Sequence, residues 1–68
     1  MAQVAKVVTI IGNSPAGFAE AAQVAVTEAA KTIRGITGIH VVSMSAEVDG
    51  DQITQFRTTV DIAFGIER

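Results

Sequence analysis

Residues Ile39–Ile66 read IHVVSMSAEVDGDQITQFRTTVDIAFGI, and this stretch decides the fold. Asp49-Gly50 is a strong two-residue hairpin signal, since the turns that suit strand twist need left-handed backbone that Asp and Gly adopt at low cost. The flanking segments, Ile39 to Val48 and Gln52 to Ile66, are rich in β-branched and apolar residues and are predicted strands. In the second, Phe56, Val60, Ile62, Phe64 and Ile66 alternate with Arg57, Thr59 and Asp61. That alternation describes a strand with one face buried and one face polar.

A turn centred on Asp49-Gly50 fixes an expected register, because side chains alternate between faces with period two. It pairs Val48 with Asp51, Val42 with Arg57 and His40 with Thr59. Ile39 and Val41 then share an apolar face with Val60 and Phe64. His40, Val42 and Met44 share the other with Gln55, Arg57 and Thr59. The mixed face is the expected place of function.

Upstream, Val4 to Ile11 is dense in β-branched residues and is the predicted first strand, apolar on both faces. Gly12-Asn13-Ser14-Pro15 is expected to break it and open a helix. Ser14 suits the N-cap, where its hydroxyl accepts from a free backbone N–H. Pro15 suits the first helical position, which has no use for an N–H. The helix is predicted to run to about Arg34, with Phe18, Ala21, Ala22, Ala25, Ala29 and Ile33 on one stripe. Lys31 and Arg34 complement the carbonyl end of its dipole, and Gly35 is the expected left-handed stop. The predicted architecture is α+β, a single domain over residues 1–68 in βαββ order, with a three-stranded antiparallel sheet partly wrapping one helix.

Sixty-eight residues hold one small core. A domain of this size buries only about 60% of the surface its unfolded chain exposes. Small scaffolds compensate with disulfides, a structural metal or self-association. The chain has no cysteine and one histidine, so disulfides and thiolate metal sites are excluded. Its composition is 49% hydrophobic and 18% charged, more apolar surface than so short a chain can hide. Self-association into a closed homo-oligomer is therefore expected. A net charge of −2 with five scattered basic residues gives no nucleic-acid footprint. No segment has the roughly 18 apolar residues of a membrane span. Met1 to Lys6 leads straight into a strand pattern, without the charged region and apolar core of a signal segment. The expected location is the cytoplasm.

No arrangement of nucleophile, base and orienting group is visible, so an enzyme is not expected. His40 could serve alone as a base, but a lone strand histidine is more often a hydrogen-bonding surface group. Gly12 to Gly17 lies where a phosphate loop would, yet lacks both the glycine spacing and the lysine of such motifs; ordinary capping explains it better. Glu47, Asp49 and Asp51 cluster at the hairpin and could hold calcium through oxygen, although turn chemistry and a solvated surface explain them too. Arg57 stands out. An arginine among apolar neighbours needs a partner, and Asp61, an acid of a neighbouring copy and a ligand are the candidates.

Taken together, Gly12-Asn13-Ser14 with Phe18, then Arg34, then the closing run Phe56-Arg57-Thr58-Thr59-Val60-Asp61-Ile62-Ala63-Phe64, resemble the dodecin family over nearly the whole chain. The resemblance implies a hollow homododecameric shell of βαββ subunits that binds or stores a flavin, riboflavin or FMN, at subunit interfaces. Some members bind coenzyme A, and a subgroup is calcium-binding. The resemblance also implies a ligand site at Gly38, His40, Gln55 and Arg57. Gly38 stands where the family has its flavin-stacking tryptophan, Arg57 where flavin binders have a glutamine, and His40 where the family has an acid. Aromatic stacking is worth about 0.5–1.5 kcal/mol beyond burial, and the chain has no Trp or Tyr to supply it. The expected function is thus a ligand-binding or storage shell with an atypical pocket. Its alternative is a structural or calcium-binding shell that does not bind flavin.

Overall fold

The computed structural model describes residues 5–66. Four elements follow in the expected order: β1 (Ala5–Ser14), α1 (Phe18–Ala30), β2 (Ile36–Asp49) and β3 (Gln52–Gly65). The three strands form one antiparallel sheet in the order β1-β3-β2. The longest apolar alternation, in β3, thereby becomes the central strand. Val4, the expected first residue of β1, lies outside the described residues.

The core forms where β3 meets the helix. Ala25 and Ala29, one helical turn apart, pack against Val60 and Ile62, and Ala21, one turn earlier on the same stripe, is buried as well. Side chains this small let the helix lie close on the sheet. Val8, Ile10, Val26, Ile33 and Ile36 close the rim. Burying Val60 and Ile62 completely contributes about 1.5–3 kcal/mol each.

The first strand does not break at Gly12. It pairs on through Gly12 with Thr58, Asn13 with Arg57 and Ser14 with Phe56. Gly12 lies beneath the helix, where a Cβ would run into the Ala21 carbonyl oxygen. Ser14 therefore caps a turn rather than a helix, its hydroxyl accepting the Ala16 N–H at 3.0 Å. The helix opens later, at Phe18, without a side-chain cap on its first N–H groups. Thr58, inside the core, donates its hydroxyl to the Phe18 carbonyl at 2.8 Å. The helix also ends earlier than expected. Lys31 is its C-cap, and the Ile33 N–H reaches back to the Ala29 carbonyl at 2.8 Å in a final turn. Arg34 lies beyond the helix. Gly35 is left-handed, with φ 77°, but it steers the chain into β2 instead of stopping the helix, and its carbonyl accepts the Gly65 N–H.

The hairpin register differs from the expected one for a definite reason. A turn centred on Asp49-Gly50 of the favoured type needs both residues left-handed; Gly50 is, at φ 66°, and no non-glycine among the described residues is. The loop is instead Gly50-Asp51, with the glycine first and Asp49 paired to Gln52. Irregularities between Glu47 and Val48, Val41 and Ser43, and Ile36 and Gly38 then shift the register further. Arg57 faces Ser45 and not Val42, and His40 faces Asp61 and not Thr59. Met44 pairs with Thr58 and so moves to the helix side of the sheet.

The domain measures 53 × 20 × 13 Å. A helix of 13 residues spans only about 20 Å, whereas the 14-residue β3 reaches about 46 Å. The helix lies over β1 and β3 and barely touches β2. Ile39 and Val41 do share the helix side with Val60, as expected, and pair there with Ile62 and Val60, but the helix does not cover them.

Candidate ligand face of the sheet

The sheet's outer face, away from the helix, is built in rows by the alternation of β3. Gln55, Arg57, Thr59, Asp61 and Ala63 project from the central strand between their neighbours. Asn13, Arg57 and Ser45 make one row, Ile11, Thr59 and Ser43 the next. Thr9, Asp61 and His40 follow, and Val7, Ala63 and Gly38 make the last. All four expected ligand residues, Gly38, His40, Gln55 and Arg57, therefore share one face. They do not form one cluster. Arg57 stands four residues along β3 from the partner of His40 and six from the partner of Gly38, about 13 and 20 Å in a strand.

Arg57 is held at its own end of the face. Its Nη1 donates to Glu47 Oε2 at 2.7 Å, and its Nε points to Ser45 Oγ at 3.5 Å. Both side chains keep substantial contact with water, 35% for Arg57 and 55% for Glu47. A pair this exposed adds at most about 1 kcal/mol to stability. It nonetheless orients the guanidinium along the sheet and balances its charge. Asp61, considered above as the arginine's partner, accepts instead from the Thr9 hydroxyl at 2.6 Å.

Gln55 lies directly opposite Glu47, and its side-chain oxygen is buried with no hydrogen-bond partner among the described residues. A buried acceptor left unpaired is costly, on the order of 1–3 kcal/mol. At the far end, a Cβ added to Gly38 would meet nothing within 4 Å, so the Gly38–Ala63 row is an open, shallow floor. Glu47, Asp49 and Asp51 do not assemble a cation site within one chain. Among the described residues no three His, Asp or Glu side chains stand close enough to hold a metal ion. Glu47 is committed to Arg57.

The family model for Dodecin matches residues 4–67. The chain belongs to the dodecin family. Solved dodecin structures share its fold: the dodecin from Streptomyces coelicolor has TM-score 0.91 at 24% identity, covering 97% of this chain and 94% of that one. A point mutant of the Thermus thermophilus dodecin gives 0.93 at 24% identity, covering 98% and 100%. The dodecin from Streptomyces davaonensis gives 0.91 at 23%, with 97% of each chain covered. Identities this low speak to the dodecin fold alone. No curated protein matches the chain. Among the described residues no helix is long and apolar enough to cross a membrane.

In the sequence the glutamate that holds Arg57 reads as one of three hairpin acids, a candidate calcium ligand or a solvated surface group, and not as the arginine's partner. The true hairpin register was the one signal that would have revealed it, since that register puts Ser45 beside Arg57 and Glu47 one step further along the same face.

Proposed function

We propose that this dodecin-family chain works as a homo-oligomeric shell, of dodecameric type, that binds or stores a small flat ligand in the cytoplasm. The proposed ligand is flavin-like, riboflavin or FMN, and it rests on the outer face of the sheet at Gly38, His40, Gln55 and Arg57. The observation that carries this reading is the placement of all four residues on one side of the sheet. The spacing along β3 adds that one chain holds only part of the pocket at each end, so a neighbouring copy completes it. The role is binding and not turnover.

The second reading, a structural shell without flavin, is favoured by two observations at the same face. Arg57 is already neutralised by Glu47, and Gly38 offers no ring for stacking. Calcium remains a candidate for that reading only if symmetric copies bring Asp49 and Asp51 together.

Equilibrium dialysis of the purified assembly against riboflavin and FMN tests the choice. Saturable binding at a fixed ratio of ligand to subunit is the expected result. Absence of binding by either compound, in a protein that assembles, leaves the structural shell as the function.

A further inference from the structure

Asp61 projects from the middle strand onto the outer face, between Thr9 on β1 and His40 on β2, one row from the Gly38–Ala63 floor. It is half-buried, and its Oδ1 accepts from the Thr9 hydroxyl at 2.6 Å. Among the described residues it makes no ion pair: Arg57 is committed to Glu47, and His40 makes no hydrogen bond to it. The face therefore carries an uncompensated carboxylate beside its open floor.

An ionised carboxylate only accepts hydrogen bonds, and its two oxygens offer about four lone-pair sites. Thr9 fills one of them and fixes the orientation of the group. Side chains of a strand stand roughly perpendicular to the sheet, and successive rows on one face are about 7 Å apart. A ring lying flat over Ala63 and Gly38 therefore meets the Asp61 carboxylate with its edge. Two N–H donors side by side satisfy that carboxylate best, one to each oxygen, as in other bidentate pairs. An amino-pyrimidinone edge supplies them from a ring N–H and the adjacent amino group. An imide edge does not, because its single N–H is flanked by carbonyl oxygens whose lone pairs face those of the carboxylate. Such a repulsive contact separates two ligands as effectively as an attractive one.

We propose that Asp61 is a specificity-determining residue of this face, selecting flat heterocycles with an amino-pyrimidinone edge over those with an imide edge. This rests on the proposed ligand face and adds the chemistry that chooses among its ligands. Thr9 acts through Asp61, as its positioning residue.

Pterin and lumazine test the choice, because these two bicyclic rings differ at one edge position, amino in pterin and carbonyl in lumazine. Equilibrium dialysis of the assembled protein measures both beside riboflavin, for the parent, Asp61→Asn and Thr9→Val. Asparagine matches aspartate in shape and still accepts from Thr9, and circular dichroism checks that each variant folds. The parent should bind pterin about tenfold more tightly than lumazine, the lower end of what hydrogen bonds to a charged group contribute. Asp61→Asn should abolish the preference. Thr9→Val should reduce it, whereas a merely structural role would weaken both rings alike. Riboflavin binding with lumazine equal to or better than pterin overturns the role of Asp61 and leaves the ligand face standing. A preference for pterin that survives in Asp61→Asn also overturns that role. A preference unchanged in Thr9→Val overturns the positioning role of Thr9. Binding of none of the three rings by an assembled parent overturns the ligand face and this inference together. Pterin binding without riboflavin binding supports the edge chemistry and overturns flavin as the ligand.

Discussion

Arg57 on the central strand and Glu47 on the neighbouring strand form a 2.7 Å ion pair across the hairpin, although the paired partner of Arg57 is Ser45. The bond runs diagonally, one outer-face position along β2. It turns the face's one arginine from an anion receptor into half of a neutral pair.

Replacing Glu47 with Gln should release that arginine. Stability should change by less than about 1 kcal/mol, as for other exposed pairs. Affinity for FMN should rise relative to riboflavin, because the freed guanidinium can take a phosphate through two parallel hydrogen bonds. Parallel dialysis of both ligands against both proteins measures the ratio. An unchanged ratio would falsify the idea that Glu47 governs the charge of the site.

Gly12→Ala should be among the more damaging small substitutions in the chain. The added methyl group meets the Ala21 carbonyl, a backbone atom that moves only if the helix moves. Overpacking of this kind costs about 1–3 kcal/mol, and a rigid obstacle puts this site toward the upper end. Urea unfolding gives the value. A loss below a few tenths would mean that the helix rides higher on β1 than described.

Much of this fold is legible in the residues. The alternation from Phe56 to Phe64, the Asp-Gly pair and the alanine stripe each identify an element. The register is not legible, because it depends on which residue of the turn takes positive φ and on irregularities that leave Thr37, Val42 and Thr54 without direct partners. Those features carry no sequence signature of their own. The helix start was missed for a related reason. Gly12 reads as a breaker, yet it is in a strand because its lack of a side chain lets the helix come close. The candidate site inherits both lessons: its face was readable from alternation, whereas its internal spacing and the Arg57–Glu47 bond followed from the register.

Ile62 and Ile39 are cross-strand partners on the same side of the sheet, but only Ile62 lies under the helix. Ile62→Ala should cost about 2–5 kcal/mol, through lost burial and the cavity left behind. Ile39→Ala should cost much less within a subunit and should mainly weaken association. Thermal melts at two protein concentrations separate the effects: the Ile39 variant's melting temperature should fall more at the lower concentration. Equal losses at both concentrations would show that β2 is covered within its own chain.

Gly38→Trp tests the ligand face most directly. Position 38 lies on the outer face, opposite Ala63, and a side chain there meets no atom within 4 Å of its Cβ. A side chain can therefore leave the backbone there without a clash at its Cβ, and an indole supplies the aromatic surface the face lacks. Stacking worth about 0.5–1.5 kcal/mol corresponds to a gain of about twofold to tenfold in flavin affinity. The gain should appear with riboflavin, whose neutral ring system depends on stacking and not on charge. Fluorescence titration reports it, since a stacked indole quenches the flavin. A correctly assembled variant that binds riboflavin no better than the parent would place the ligand somewhere other than the Gly38–Ala63 floor.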